Sequence, residues 1–271
     1  MPNTLISRII KPSSIYIIKA TNFVDFLKAQ KIALKQQDKF YDKTPQEYPK
    51  ETVWDMVCFE NVNQTVIDYL GDIKSKFILD LGSGIGADTR RFSALGADLI
   101  SLDSSEKCLN ISRQANNNLH IRAEATNLPF KNNVFDIVFG RDILHHLDED
   151  KCLREVKRVL KKDGIAIFVE PLKYQPLVLI YRFIKQNERV PQHPFAPGKL
   201  GKISQKYFKK YEHKYLYAIF PFCYFFMIYF PSLGSFFSKI YLQKFSRLDD
   251  YVSHRFPFFS WTEVIKIYNL N

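Results

Sequence analysis

The sequence predicts an α/β protein built on a doubly wound, mostly parallel sheet with helices on both faces. Two observations carry this reading. Short apolar runs at 77–81, 98–102, 135–139 and 165–169 alternate with longer segments of helical period, the pattern of parallel strands covered on both faces by crossover helices. The first run also passes directly into a glycine-rich turn, Gly82-Ser83-Gly84-Ile85-Gly86-Ala87, ahead of a helical segment, an arrangement that turns free helix N–H groups toward a crevice.

Taken in order, residues 1–50 mix short apolar runs, such as Ile15 to Ile18, with Lys, Gln and Pro. They lack the sustained apolar stretch of a signal peptide or membrane span and read as an N-terminal extension of modest helicity, about 1–60. The strand Phe77–Leu81 leads through the glycine turn to a helix containing Thr89 to Leu95, and the strand Asp98–Leu102 ends at Asp103. The helical period is clearest over Asp148–Lys162, where Leu153, Val156, Val159 and Leu160 recur among charged residues. Asp163-Gly164 predicts its stop, just before the strand Ile165–Val169. Near the C-terminus, Trp261 to Tyr268 reads as a closing edge strand with Tyr211 to Phe220 as its neighbour.

Between those last strands lies an aromatic-rich insertion, about 221–250. The 23 residues from Leu216 to Ser238 carry no charge, a length that would allow a membrane span. Pro221, Pro231 and Gly234 divide the run, and a span would strand the last sheet strand across the bilayer, so a membrane-facing or lipophilic-substrate lid fits better than a transmembrane helix.

With 271 residues, 46% hydrophobic and 25% charged, the chain has room for one large α/β core with additions. The four cysteines stand far apart with no C-x-x-C pair, which argues against a zinc cage or disulfide framework. The net charge of +11 is concentrated C-terminally: from Leu172 to Asn271 there are 15 Lys and Arg against 5 Asp and Glu. Such a segment attracts either nucleic acid or an anionic membrane and does not by itself choose between them.

The glycine turn satisfies the dinucleotide pattern G-x-G-x-x-A through Ala87, so nicotinamide or flavin binding enters as an alternative. Asp80 argues the other way. A carboxylate two residues before Gly82 gains nothing from a diphosphate but favours a cofactor that carries an ammonium and a sulfonium. Asp103, one β-α unit later, is placed to accept ribose hydroxyls in either class.

Downstream the chain reads Ala123-Glu124-Ala125-Thr126-Asn127-Leu128-Pro129-Phe130, then Val134-Phe135-Asp136-Ile137-Val138, Leu144-His145-His146-Leu147, and Arg158-Val159-Leu160-Lys161-Lys162-Asp163-Gly164. In this order, over 77–171, the sequence resembles class I (Rossmann-like) S-adenosylmethionine-dependent methyltransferases of the type 11 small-molecule group. The resemblance implies a seven-stranded sheet with an antiparallel last strand and S-adenosyl-L-methionine as cofactor. It divides the chain into a catalytic domain at 61–271, with a cofactor core at 77–171 and an acceptor-side elaboration at 172–271. It further implies that Asp80 and the loop Gly82, Ser83, Gly84, Gly86 hold the methionine end, that Asp103 with Ser104 binds the ribose, that Glu124 and Ala125 meet the adenine, and that the Arg141 main chain borders the pocket. Glu124 stands where Asp is commoner, and Lys162-Asp163-Gly164 where Pro-Gly-Gly is commoner.

Methyl transfer to a hydroxyl or phenol can use a base, and His145, after the strand Phe135–Phe139, is the first candidate, with Glu170 at the next strand end as the second. Tyr41, His146 and His193 are expected acceptor-side contacts. Each site residue has a structural alternative: Asp80 as a turn cap, Asp103 as a helix N-cap, His145 as packing, His146 as a cap, Glu170 as a backbone anchor. The expected partner is a small acceptor, lipophilic or glycan-linked, with peripheral contact to an anionic membrane through Lys199, Lys202, Lys206, Lys209, Lys210 and Lys214. No metal is called for, and the expected location is cytoplasmic, at the inner face of a membrane. RNA methylation rests only on the basic region, without an RNA-binding module; a non-catalytic membrane-associated protein retaining the fold is the remaining alternative.

Overall fold

The computed structural model describes residues 9–11, 53–184, 193–222 and 240–270. Helix α1 (Val53–Leu70) leads into β1 (Phe77–Leu81), α2 (Ala87–Ala94), β2 (Asp98–Asp103), α3 (Glu106–Ala115), β3 (Leu119–Arg122) and β4 (Phe135–Arg141). A 3-10 turn (Leu144–His146), α4 (Glu149–Val159), β5 (Leu160–Pro171), α5 (Pro176–Ile184), α6 (Lys199–Ser204) and β6 (Lys210–Leu216) follow. A π-helical turn (Tyr241–Phe245), α7 (Ser246–Arg255), a second 3-10 turn (Pro257–Phe259) and β7 (Thr262–Tyr268) complete the chain.

The strands form one seven-stranded sheet in the order β3-β2-β1-β4-β5-β7-β6. The first five are parallel to their neighbours, and β7 runs antiparallel to both β5 and β6. Successive strand residues serve opposite faces, which explains why the strands read as unbroken apolar runs. Leu79, Leu81, Val138, Phe168 and Ile265 pack on one face with Leu153 and Val156 of α4 and Leu200 of α6. Ile78, Ile137, Phe139, Ile167 and Val264 pack on the other with Val62 and Val66 of α1 and Phe92 of α2.

Local chemistry sets the helix ends. The Asp148 side chain accepts the Lys151 N–H at 3.1 Å as N-cap of α4, with acids in the first turn and Lys157 and Arg158 in the last, as the helix dipole favours. Ser105 caps α3 through the Cys108 N–H. Asp249, almost fully buried, accepts the Ile219 and Phe220 N–H groups at 2.8 and 3.1 Å and the Tyr241 hydroxyl, which ties the chain leaving β6 to α7.

Several sequence expectations are corrected. The segment at 262–268 is not an edge strand: β7 is sandwiched between β5 and β6, and β6 is the edge. Helix α4 ends at Val159 rather than Lys162, because Leu160 already pairs with Phe135 and opens β5; Asp163 then turns in the left-handed region at φ 62° within that strand. Strand β3 lacks the apolar run that marks the others, so the run pattern does not predict it. The N-terminal extension lies mostly outside the described residues, as do 223–239 of the apolar insertion. Among the described residues no helix is long and apolar enough to cross a membrane.

Candidate active site

Residues from β1 to β5 converge at the C-terminal edge of the parallel strands, where open α/β sheets bind ligands. The Gly82 and Ser83 N–H groups both donate to the Leu102 carbonyl, at 2.8 and 3.0 Å, pinning the glycine loop to the end of β2. Gly82, Gly84 and Gly86 have φ of 71°, 51° and 80°, a region that L side chains avoid. A Cβ on Gly82 would lie 2.5 Å from Ile143, and on Gly86 2.2 Å from Ser112, whereas one on Gly84 would meet nothing within 4 Å. The crest of the loop therefore faces open space while its two flanks are clamped.

Asp103 spans this loop and the next. Its Oδ2 accepts the Gly84 N–H and its Oδ1 the Ser105 N–H, both at 2.8 Å, so it is not the N-cap of α3. The Ala123 N–H donates to the Asp103 carbonyl, which brings Glu124 and the buried Ala125 alongside. Ser104 is half-buried, and its carbonyl accepts from the Arg122 side chain.

Asp80 sits behind the loop with 2% of its surface exposed, accepting from Thr89, whose hydroxyl also contacts Ser101. Burial, with repulsion from Asp88, pushes its carboxyl up to about 7. Arg141, expected to contribute only main chain, uses its guanidinium: Nε and Nη2 donate to the two Asp88 oxygens at 2.7 and 3.1 Å, and Nη2 reaches Asn63 on α1. This ties α1, α2 and β4 together and pairs the Arg141 charge with Asp88.

His145 and Glu170 face each other in the interior. His145 is 4% exposed, and its Nδ1 lies 2.7 Å from Glu170 Oε2. Glu170 also accepts the N–H groups of Ile143, Leu144 and His145 at 3.1, 2.8 and 3.3 Å. Burial raises its carboxyl to about 8 against these amides, which favour the ionised form. The pair thus holds the turn after β4. His146 is half-buried with its ring centroid 4.0 Å from that of His145, and it does not cap α4, a role taken by Asp148. His193 is exposed, and its N–H donates to the His145 carbonyl at 2.9 Å. Tyr41 lies outside the described residues.

The residue that the sequence reading missed is Asp142. It follows β4 directly, adopts φ 53°, and is open to solvent on one side. The surrounding walls desolvate it enough, with repulsion from Glu170, to push its carboxyl to about 6. Its signal in the sequence was position alone, the first residue past a core strand.

The donor set fits a cationic nucleoside ligand better than a diphosphate. Asp103 holds the crest at Gly84, Asp80 lies near enough to feel Asp88 and Asp103, and Arg141 is committed to Asp88. The Ser83 hydroxyl is buried in the loop with no hydrogen-bond partner, and the crest above Gly84 is clear. Among the described residues no group of His, Cys, Asp and Glu could hold a metal.

Residues 79–168 match the family model described as a methyltransferase domain. The chain is 34% identical over 134 residues to the ubiquinone/menaquinone biosynthesis C-methyltransferase UbiE of Pasteurella multocida, covering 45% of this chain and 50% of that one. It is 32% identical over 164 residues to an uncharacterized protein of Methanocaldococcus jannaschii, covering 58% and 59%. The chain therefore spans between half and three-fifths of the length of these relatives. In fold it resembles phosphoethanolamine N-methyltransferase 2 of Haemonchus contortus, solved with phosphomonomethylethanolamine and S-adenosylhomocysteine, at a TM-score of 0.59 and 17% identity over 93% of this chain and 61% of that one.

Proposed function

The chain carries a class I, Rossmann-like S-adenosylmethionine-dependent methyltransferase domain, and from that premise we propose that it transfers a methyl group from S-adenosyl-L-methionine to a small, lipophilic acceptor. The observation that carries the reading is the acidic crest at Gly84, open above and flanked by Asp103 and Asp80. When bound, the cofactor supplies a methyl carbon on a positively charged sulfur, so the leaving group needs no proton and in-line positioning dominates the rate.

Asp103 fixes the loop through the Gly84 and Ser105 amides and lies one β-α unit past the glycine turn, where a carboxylate meets ribose hydroxyls. Glu124 and the Ala125 amide border the adenine, the glycine loop and Asp80 face the methionine end, and the Arg141–Asp88 pair keeps the wall rigid. His145 and Glu170 position the turn that carries Asp142 and His146 rather than meeting the acceptor themselves. Asp142 is the open group at this end, suited to orient the acceptor and to take its proton near neutral pH. A lipophilic acceptor is supported by the apolar segment between β6 and β7 and by the quinone pathway in the UbiE name. Peripheral contact with anionic membrane is supported by the basic C-terminal region, although Lys199, Lys206, Lys210 and Lys214 also pair with Glu149, Asp150, Glu212 and Asp250.

Thermal unfolding with S-adenosylmethionine, NAD or NADP tests the cofactor. Only S-adenosylmethionine should raise the midpoint, since a ligand of the native state stabilises it by mass action. A shift with NAD and none with S-adenosylmethionine would overturn the reading.

A further inference from the structure

We propose that the outer face of α5, together with the turn at 256–259, is the surface on which the protein rests on an anionic lipid bilayer, at the strand edge that carries Asp142. The proposal rests on the membrane contact inferred above and assigns it to a place. Helix α5 is Pro-Leu-Val-Leu-Ile-Tyr-Arg-Phe-Ile, with Arg182 its one charged residue. A helix apolar on all sides belongs in a core or against lipid. Yet Leu179, Ile180 and Phe183 are 43%, 54% and 78% exposed. The nine described residues of the helix fit a place lying in the interface of a bilayer.

The exposure is not that of a loosely attached end. Gln175, fully buried, caps the helix by accepting the Val178 N–H at 2.8 Å, and the Lys173 N–H donates to the Phe195 carbonyl at 2.9 Å. The patch extends across the sheet edge: the Tyr174 and Phe258 rings lie 5.4 Å apart, and Phe258 and Phe256 are 62% and 47% exposed. Both segments leave the sheet at one place, because Pro171 pairs with Thr262 and the Leu172 N–H donates to the Trp261 carbonyl. That is also the edge that carries Asp142 and the glycine loop.

Charge selects the occupant. Lys173 stands 5.6 Å from the Tyr174 ring and Arg255 5.4 Å from the Phe256 ring, so cations rim the aromatics. The two acids among the described residues of 172–184 and 240–261 are turned away from this role, Asp249 inward and Asp250 toward Lys214. Apolar side chains rimmed by Lys173 and Arg255 match anionic headgroups above acyl chains. A second copy would bring these cations together, which disfavours self-association through the same face.

Flotation of the full chain with phosphatidylcholine vesicles, with and without phosphatidylglycerol, tests this. The wild-type chain should float with the anionic vesicles alone. Combining Ile180→Ser with Phe183→Ser should lower partitioning at least about tenfold, as the loss of two buried apolar side chains implies, and Phe258→Ser should lower it less. Circular dichroism and an unchanged unfolding midpoint verify that each variant is folded, and Phe258→Ser alone serves if the double variant is not. Variants that float as well as wild type overturn this face while leaving contact through the lysines at 199–214. A wild-type chain that does not float overturns both. Light scattering that shows a dimer which the substitutions dissociate assigns the face to a second copy and overturns the bilayer.

Discussion

Asp80 and Glu170 hold their carboxyls at about 7 and 8, each raised first by burial. Both therefore bind protons more tightly in the folded chain than in the unfolded one. Their contribution to stability is complete below the ordinary carboxylate range and is lost as pH rises through these values. The unfolding midpoint should fall between about pH 5 and about pH 8, and Asp80→Asn, which still accepts from Thr89, should flatten the part around neutrality. Differential scanning calorimetry across that range measures it; equal slopes in the two proteins would mean that Asp80 is ionised throughout. Asp142 gives a kinetic counterpart. If it takes the acceptor's proton, kcat/KM should rise with pH through a limb near the Asp142 value of about 6. Asp142→Asn should remove that limb and slow turnover by about a hundredfold while donor affinity, read by calorimetry, is kept. The importance of Asp142 was not legible because a lone acid past a strand has no motif. Asp103 was legible, since its distance from the glycine loop is fixed by one β-α unit.

At the scale of elements, two carboxylates that each hold a turn should differ in what they are worth. Asp148 caps α4 at the surface, where its loss exposes one N–H to water, so Asp148→Ala should cost about 1 kcal/mol. Glu170 satisfies three main-chain N–H groups and His145 inside the protein. Removing it leaves buried donors without acceptors, and Glu170→Ala should cost about 3 kcal/mol or more. Urea denaturation measures both. Similar small losses would show that water enters to replace Glu170. The helix α4 itself was legible from its period, and its C-terminus was not. Periodicity continued through Leu160, but pairing with Phe135 claims that residue for β5, a long-range hydrogen bond that no local pattern contains. His145 was legible as part of the pair Leu144-His145-His146-Leu147, yet which of the two histidines turns inward depended on Glu170, 25 residues away.

For the whole molecule, β1, β2, β4 and β5 were readable because each is an apolar run buried on both faces, whereas β3 has no such run and passes to β4 without a helix. The C-terminal third was not readable, because β6 and β7 join the sheet out of sequence order, with β7 entering between β5 and β6. Lys210–Leu216 alternates charged and aromatic residues, as an edge strand with one wet face does, while Thr262–Tyr268 is buried at four of its seven positions. The chain closes its sheet by inserting its last strand, and this order has a consequence for stability. Were β7 an edge, truncation before Trp261 would trim one strand and leave the rest paired. As an inner strand, β7 pairs along Ile165–Pro171 on one side and Lys210–Leu216 on the other. Its removal also deprives both apolar layers of Val264, Ile265 and Ile267. Loss of three buried aliphatic side chains and two ladders exceeds the margin of about 5–15 kcal/mol by which domains of this kind are folded. A chain ending at Ser260 should therefore give no cooperative thermal transition by circular dichroism, whereas one ending at Tyr268 should unfold as the full chain does. A cooperative transition in the shorter chain would return β7 to the edge.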